Sequence, residues 1–265
     1  MALLEARLES ELASLVRRHG GEPVCAPALR EVERDCADQA RPAVDAAART
    51  GAVVVLATGV GLARWLKVAD AIGRGPDLRA ALGQATVVCR GPKPVAVLKR
   101  EGLTAHVRAE PPHTTKELLT ALEGIDVRGR DVVFVHDGGA SRTVPETLAL
   151  RGARVAEVQP YEWALPQDVQ PLRDLVDAVI AGRLDAVAFT TQVQAKHLFD
   201  VADEMGARGA LTRALRTGVV VAAVGPTCAR VLQELGPPPH VVPDQVKMGA
   251  MVLALAERIA AMKRG

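Results

Sequence analysis

Aromatic side chains are nearly missing from this chain. Among 265 residues there are three Phe, two Trp and one Tyr. That removes the stacking platforms used to hold single-stranded nucleic acid, and it counts against a sugar-binding protein with stacking residues. An excess of one charge is missing too: 33 Lys and Arg stand against 31 Asp and Glu, a net charge of +2, too little for a nucleic-acid footprint. No apolar run approaches the ~18 residues that a membrane span needs. The opening "MALLEARLESEL" carries charges where a signal peptide would be apolar, so no export signal and a cytoplasmic location are expected. Cys25, Cys36, Cys89 and Cys228 are scattered, without metal-ligand spacing, and read as reduced thiols. The six histidines form no HExxH motif. There is no Walker motif, and "GVGLA" lacks the third glycine of a dinucleotide fingerprint. The expectation is a chain without metal or cofactor.

What the chain does have is a repeat. "GAVVVLATGVGLARWL" (51–66) and "DAVAFTTQVQAKHLF" (185–199) both read as a buried strand, a threonine, a short polar stretch and a helix; Thr58 and Thr191 lie 133 positions apart. "ATVVCRGPKPVAVLKREGL" (85–103) resembles "GVVVAAVGPTCARVLQELGP" (218–237), with Gly91 and Gly225 134 apart, and His106 and His240 keep that same offset. Ordered matches at nearly constant spacing indicate two copies of one unit, residues 1–127 and 128–265. The length suits two domains. β-branched runs alternating with amphipathic helices predict an α/β fold: two similar open parallel-sheet domains. Strands are expected at Val53–Ala57, Thr86–Cys89, Val132–His136, Ala186–Thr190 and Val219–Val224.

In such sheets ligands collect beyond the carboxyl ends of the strands, where helix N-termini present unpaired N–H groups. The candidate binding residues are therefore Thr58 and Gly59, Gly91 and Lys93, Gly138 and Gly139, Thr190, Thr191 and Gln192, and Thr227. Each has an ordinary structural explanation: threonine before a helix is commonly an N-cap, and Gly-Pro is commonly a turn. Their recurrence at equivalent strand ends raises them together, and the ligand that two such rows of donors suit is a large polyanion. "EPVCAPALREVE" (22–33) and "VAEVQPYEWALPQ" (155–167) occupy equivalent places and resist helix. They read as paired extended linkers, the second holding Tyr161 beside Trp163.

The threonine strand ends, "GPTCARVLQELG" (225–236) and "VAEVQPYEWALP" (155–166) make the chain resemble the uroporphyrinogen-III synthase family over nearly its whole length. The resemblance implies one domain of residues 1–26 with 170–265, a second of residues 45–157, and linkers at 27–44 and 158–169. It implies cyclisation of the linear tetrapyrrole hydroxymethylbilane to uroporphyrinogen III, with the last pyrrole inverted and water lost, by a monomer without cofactor or metal. Substrate carboxylates would be held by backbone N–H groups and hydroxyls. Tyr161 matches the linker tyrosine that assists departure of the hydroxyl, Thr227 the "GPT" hydroxyl and Thr191 the strand-end hydroxyl. The chain departs from the pattern at Lys93 and Pro94, where a hydroxyl residue is usual, at "ATGVGL", which keeps Thr58 but lacks the family's asparagine, and at Arg7 beyond the first strand.

Overall fold

The computed structural model describes residues 1–5, 9–139 and 141–262; Arg7 lies outside them. The chain divides into two compact units, Met1–Arg30 with Ala164–Gly265, and Glu31–Trp163. In chain order the strands are β1 (Ala2–Leu3), β2 (Val24–Cys25), β3 (Arg30–Glu33), β4 (Val53–Leu56), β5 (Thr86–Cys89), β6 (Val107–Arg108), β7 (Asp131–Val135), β8 (Arg154–Val158), β9 (Tyr161–Ala164), β10 (Ala186–Phe189) and β11 (Val220–Ala223). The helices are α1 (Glu9–Arg18), α2 (Ala37–Ala47), α3 (Gly59–Ala71), α4 (Gly75–Gln84), α5 (Pro92–Arg100), α6 (Thr115–Glu123), α7 (Thr143–Leu150), α8 (Gln170–Ile180), α9 (Gln192–Glu204), α10 (Arg208–Thr217), α11 (Pro226–Leu235) and α12 (Met248–Met262). None of them is long and apolar enough to cross a membrane.

The second unit, Glu31–Trp163, holds a sheet in the order β6-β5-β4-β7-β8, with every neighbour parallel. Its central strands β4, β5 and β7 are buried on both faces, as parallel strands are. Val54, Leu56, Val87, Cys89, Val133 and Val135 point into one apolar layer with Trp65 and Leu82. Val53, Val55, Val88, Val132 and Phe134 alternate into the other, against Leu118, Leu122 and Leu148. The first unit holds β11-β10-β1-β2, again all parallel, with layers built around Phe189, Phe199 and Leu232 on one face and Leu3, Leu12 and Met251 on the other.

Strand order is the same in both units over four strands once β4 is set against β10, β5 against β11, β7 against β1 and β8 against β2, with β6 additional in the second. The likeness reaches single atoms at the sheet edge. His106 donates its backbone N–H to Val87 O and accepts the Val87 N–H on Nδ1 at 3.1 Å. His240 does the same with Val221, at 3.0 Å. In each case a side chain replaces the next strand's carbonyl and closes a ladder that would otherwise leave a donor unpaired.

β3 and β9, where the chain passes from one unit to the other, pair as a two-stranded sheet, and Arg34 N–H donates to Pro160 O. The expected linker 27–44 is only partly extended, because residues 37–44 lie in α2. Pro42 sits inside that helix, a position that ordinarily breaks one. Ala40, Ala43, Val44 and Ala47, at helical spacing, are all buried, so packing of that stripe outweighs the lost hydrogen bond.

Candidate functional site

In a doubly wound sheet the crevice lies where successive strands leave in opposite directions. In the second unit the chain runs from β4 outward to β5 and β6, then returns to β7 on the other side of β4. The loops after β4 and β7 flank this reversal, and they carry Thr58 and the run His136-Asp137-Gly138-Gly139.

Thr58 has extended backbone, and its Oγ1 caps α3 by accepting the Gly61 N–H at 2.9 Å. The same oxygen lies 3.1 Å from the Tyr161 hydroxyl. Tyr161 opens β9 after Pro160 and is 1% exposed. Its ring fits because Gly138 has no side chain: a Cβ there would stand 2.5 Å from Tyr161 Cε2, and Gly138 has φ +81°. Trp163 makes an edge contact with the Tyr161 ring at 5.5 Å and donates its indole N–H to Asp137 O. The Arg64 guanidinium stands 5.9 Å from the Tyr161 ring centre. Burial pushes the Tyr161 phenol up to about 12; Thr58 pulls against this, while Asp137 and Glu31 add to it. The hydroxyl therefore keeps its proton at neutral pH.

Beside it stands an ion pair. Arg90, the last residue before the Gly91-Pro92 corner, donates Nη1–H to Asp137 Oδ2 at 2.7 Å, and Gly139 N–H donates to Asp137 Oδ1 at 3.1 Å. Burial pushes the Asp137 carboxyl up, but the charge and hydrogen bond of Arg90, with the Gly139 N–H, outweigh it and hold the group below its ordinary value. His136 is 5% exposed and donates Nε2–H to Glu157 at 2.8 Å; its Nδ1 has no partner among the described residues.

Of the other expected site residues of this unit, Gly59 and Gly91 stand in close packing contacts. Gly59 is buried, and a Cβ there would meet the Lys93 carbonyl at 2.8 Å. Gly91 caps α5 in extended conformation beneath His113, a non-glycine residue at φ +61°. Lys93 is exposed. Pro92 and Pro94 remove two donors from the first turn of α5, so that helix start offers an anion little beyond the Lys93 N–H and ammonium.

In the first unit the reversal falls between β10 and β1. Thr191 caps α9 with the backbone angles of Thr58 to within two degrees, and Gln194 completes a capping box. The Gln194 Oε1 accepts the Thr190 N–H at 2.7 Å and the Thr191 N–H at 3.3 Å. Thr190 Oγ1 donates to Glu5 at 2.5 Å, and Gln194 Nε2 donates to both Glu5 and Thr190 Oγ1. Glu5 is 8% exposed. The Thr190 and Thr191 N–H groups, expected to face an anion, are thus engaged by a side chain of the protein itself. Gln192 and Thr227 are half-buried at the starts of α9 and α11. Gly225 caps α11 under Val246, whose Cγ1 would lie 2.9 Å from an added Cβ.

The structure thus joins Thr58, Gly138 and Tyr161 in one contact set and Gly59 with Lys93 in another, and it ties Thr190 and Thr191 to Gln194. Sequence reasoning missed Arg90, Asp137, Glu5 and Gln194 as members of these clusters. Gln194 had a signal, since Thr191-x-x-Gln194 is the spacing of a capping box. Arg90 and Asp137 had none, because the pairing joins residues 47 apart. The cysteines form no disulfide among the described residues, and burial pushes the Cys89 and Cys228 thiols up to about 12.

Comparison with known proteins decides the lineage of this geometry. The family model described as uroporphyrinogen-III synthase HemD matches residues 10–253. The chain belongs to the uroporphyrinogen-III synthase family. A crystal structure of a mutant uroporphyrinogen III synthase from the extremely thermophilic bacterium Thermus thermophilus superposes with a TM-score of 0.77 at 28% identity, covering 98% of each chain. The Bacillus subtilis protein YjjA, described as uncharacterized, is 30% identical over 97% of this chain and 94% of its own. A putative uroporphyrinogen-III synthase of Methanothermobacter thermautotrophicus is 33% identical over 63% of this chain and 64% of its own. The two-domain α/β architecture with parallel sheets is that of the family.

Proposed function

We propose that this protein is an active uroporphyrinogen-III synthase, a cyclising hydro-lyase that closes hydroxymethylbilane to uroporphyrinogen III with inversion of the terminal pyrrole. The observation that carries the reading is the Tyr161 hydroxyl on Thr58 at the strand reversal of the second unit, in a chain of this family. Electron-rich pyrroles push out the leaving hydroxyl themselves, so the protein's tasks are to position the chain and to donate to that hydroxyl. A buried phenol that stays protonated suits the second task. Its Thr58 partner is the group it would exchange for the departing oxygen. Thr58, Gly59, Gly91, Lys93, Gly138, Gly139, Thr190, Thr191, Gln192 and Thr227 form the proposed binding set. Residues 1–127 and 128–265 are further proposed to be copies of one ancestral segment, and the protein to work as a monomer in the cytoplasm.

A second reading, a non-catalytic tetrapyrrole- or polyanion-binding module, draws on the internal satisfaction of donors at Thr190, Thr191 and Gly139. A coupled assay starting from porphobilinogen, with product isomers resolved, separates the two. The enzyme yields uroporphyrinogen III. A binding module leaves only uroporphyrinogen I, the product of spontaneous closure.

A further inference from the structure

Arg34, Arg208 and Arg230 donate from a single nitrogen and have exposed side chains, whereas Arg90 is largely covered and still used at only one nitrogen. Arg64 places Nε and Nη2 on Glu31 and Nη1 on Glu33. Arg79 divides its nitrogens between Glu101 and Asp70, and Arg154 engages all three on Asp131 and Gly129 O. Arg90 donates from Nη1 alone, to Asp137, and its side chain makes no other hydrogen bond to a described residue. The side chain is only 23% exposed, so its stem is held while Nε and Nη2 keep unengaged donors. Asp137, which fixes it, is itself fixed by the Gly139 N–H. The pair lies within electrostatic reach of the Tyr161 hydroxyl, since both charges bear on the phenol's proton affinity.

We infer that Arg90 is an anchor for a carboxylate arm of the substrate, with Asp137 as the positioning residue that holds its guanidinium in place. The inference rests on the proposed synthase function for the identity of the ligand. A planar fork with one end tethered presents its remaining donors at fixed angles, the geometry that favours carboxylate recognition. The Asp137 carboxylate is also a built-in example of the group that Arg90 accepts.

The test is calorimetric titration with uroporphyrinogen III, in the absence of air, of the full-length wild type, Arg90→Gln, Arg90→Lys and Asp137→Asn, each with its thermal midpoint measured. The expected result is a loss of affinity of about tenfold or more for Arg90→Gln, a smaller loss for Arg90→Lys, which keeps charge without the fork, and less than about threefold for Asp137→Asn, whose amide oxygen still accepts from Arg90. Wild-type affinity in Arg90→Gln would overturn the inference. So would equal losses in Arg90→Gln and Asp137→Asn, which would make the pair a structural bridge, and so would a wild type that does not bind. A wild type that binds through Arg90 yet yields only uroporphyrinogen I would sink the synthase reading and leave the anchor standing.

Discussion

The two units share a strand order, a capping threonine with the same backbone angles and an edge histidine with the same two hydrogen bonds, yet they furnish the strand reversal differently. In the first unit Glu5, Thr190 and Gln194 answer one another, and the amides of Thr190 and Thr191 are engaged within the network. In the second unit the corresponding ends carry a phenol on Thr58 and an arginine engaged at one nitrogen. Register makes the correspondence explicit: Leu3 pairs with Ala188 as Phe134 pairs with Val55, so Glu5 and His136 stand at the same place in the two sheets. The two sheets share their backbone solutions and differ in the side chains set at the strand reversal. The first unit closes its reversal with a hydrogen-bonded network, and the second sets there the phenol to which the proposed function assigns the donor's role.

The comparison can be broken most strongly at glycine. Gly138→Ala adds a methyl into Tyr161 at a left-handed φ, and it should cost roughly 3 kcal/mol. Gly182→Ala in the first unit, with φ +67° and nothing within 4 Å, should cost only about 1 kcal/mol. Urea midpoints of the two variants check this; equal losses would mean that Gly138 does not seat the tyrosine.

Alkali gives the next effect. A phenol raised to about 12 in the fold and near 10 when unfolded contributes stability that is complete below pH 10 and is lost as pH rises through 12. The loss is roughly 2–3 kcal/mol. The raised thiols of Cys89 and Cys228 add a larger loss, roughly 4 kcal/mol each, one in each unit, so they do not distinguish the two. Tyr161→Phe should therefore lose less stability between pH 9 and pH 12 than the wild type, as followed by denaturant midpoints across that range.

In the first unit, Gln194→Ala leaves the Thr190 and Thr191 amides without their acceptor and should cost about 2 kcal/mol. A thermal scan showing no loss would contradict the closed network. Smallest is the cap itself. Thr191→Val should cost about 1 kcal/mol. Thr58→Val should cost somewhat more, because it also strips the Tyr161 hydroxyl of its partner. Paired chemical denaturation curves read the difference, and identical values would show that the Thr58–Tyr161 contact contributes nothing.

Much of this was legible in the letters. β-branched runs placed β4, β5, β7, β10 and β11 to within one residue at every end, because a strand buried on both faces needs an unbroken apolar segment. A nearly constant offset linked Thr58 with Thr191 and His106 with His240, and Tyr161 stood out as the one tyrosine. α2 was hidden because Pro42 reads as a breaker, and only the buried stripe from Ala40 to Ala47 explains its survival. The engagement of the strand-end amides was hidden for another reason. Whether an N–H at a helix start faces a ligand or a neighbouring side chain depends on which residues the fold brings there. Glu5 reaches Thr190 across 185 positions, and no local pattern announces it.

The central claim is that the second unit's phenol does chemistry. The measurement that meets it most directly is the rate of uroporphyrinogen III formation by Tyr161→Phe and by wild type, with thermal midpoint and product binding taken on the same preparations. An acid in this role typically contributes ~10²–10⁴ in rate, and pyrrole assistance puts the expected loss toward or below the low end of that range, at about tenfold or more, with fold and binding retained. Undiminished turnover alongside a lowered midpoint would contradict the claim and make Tyr161 a buried packing residue.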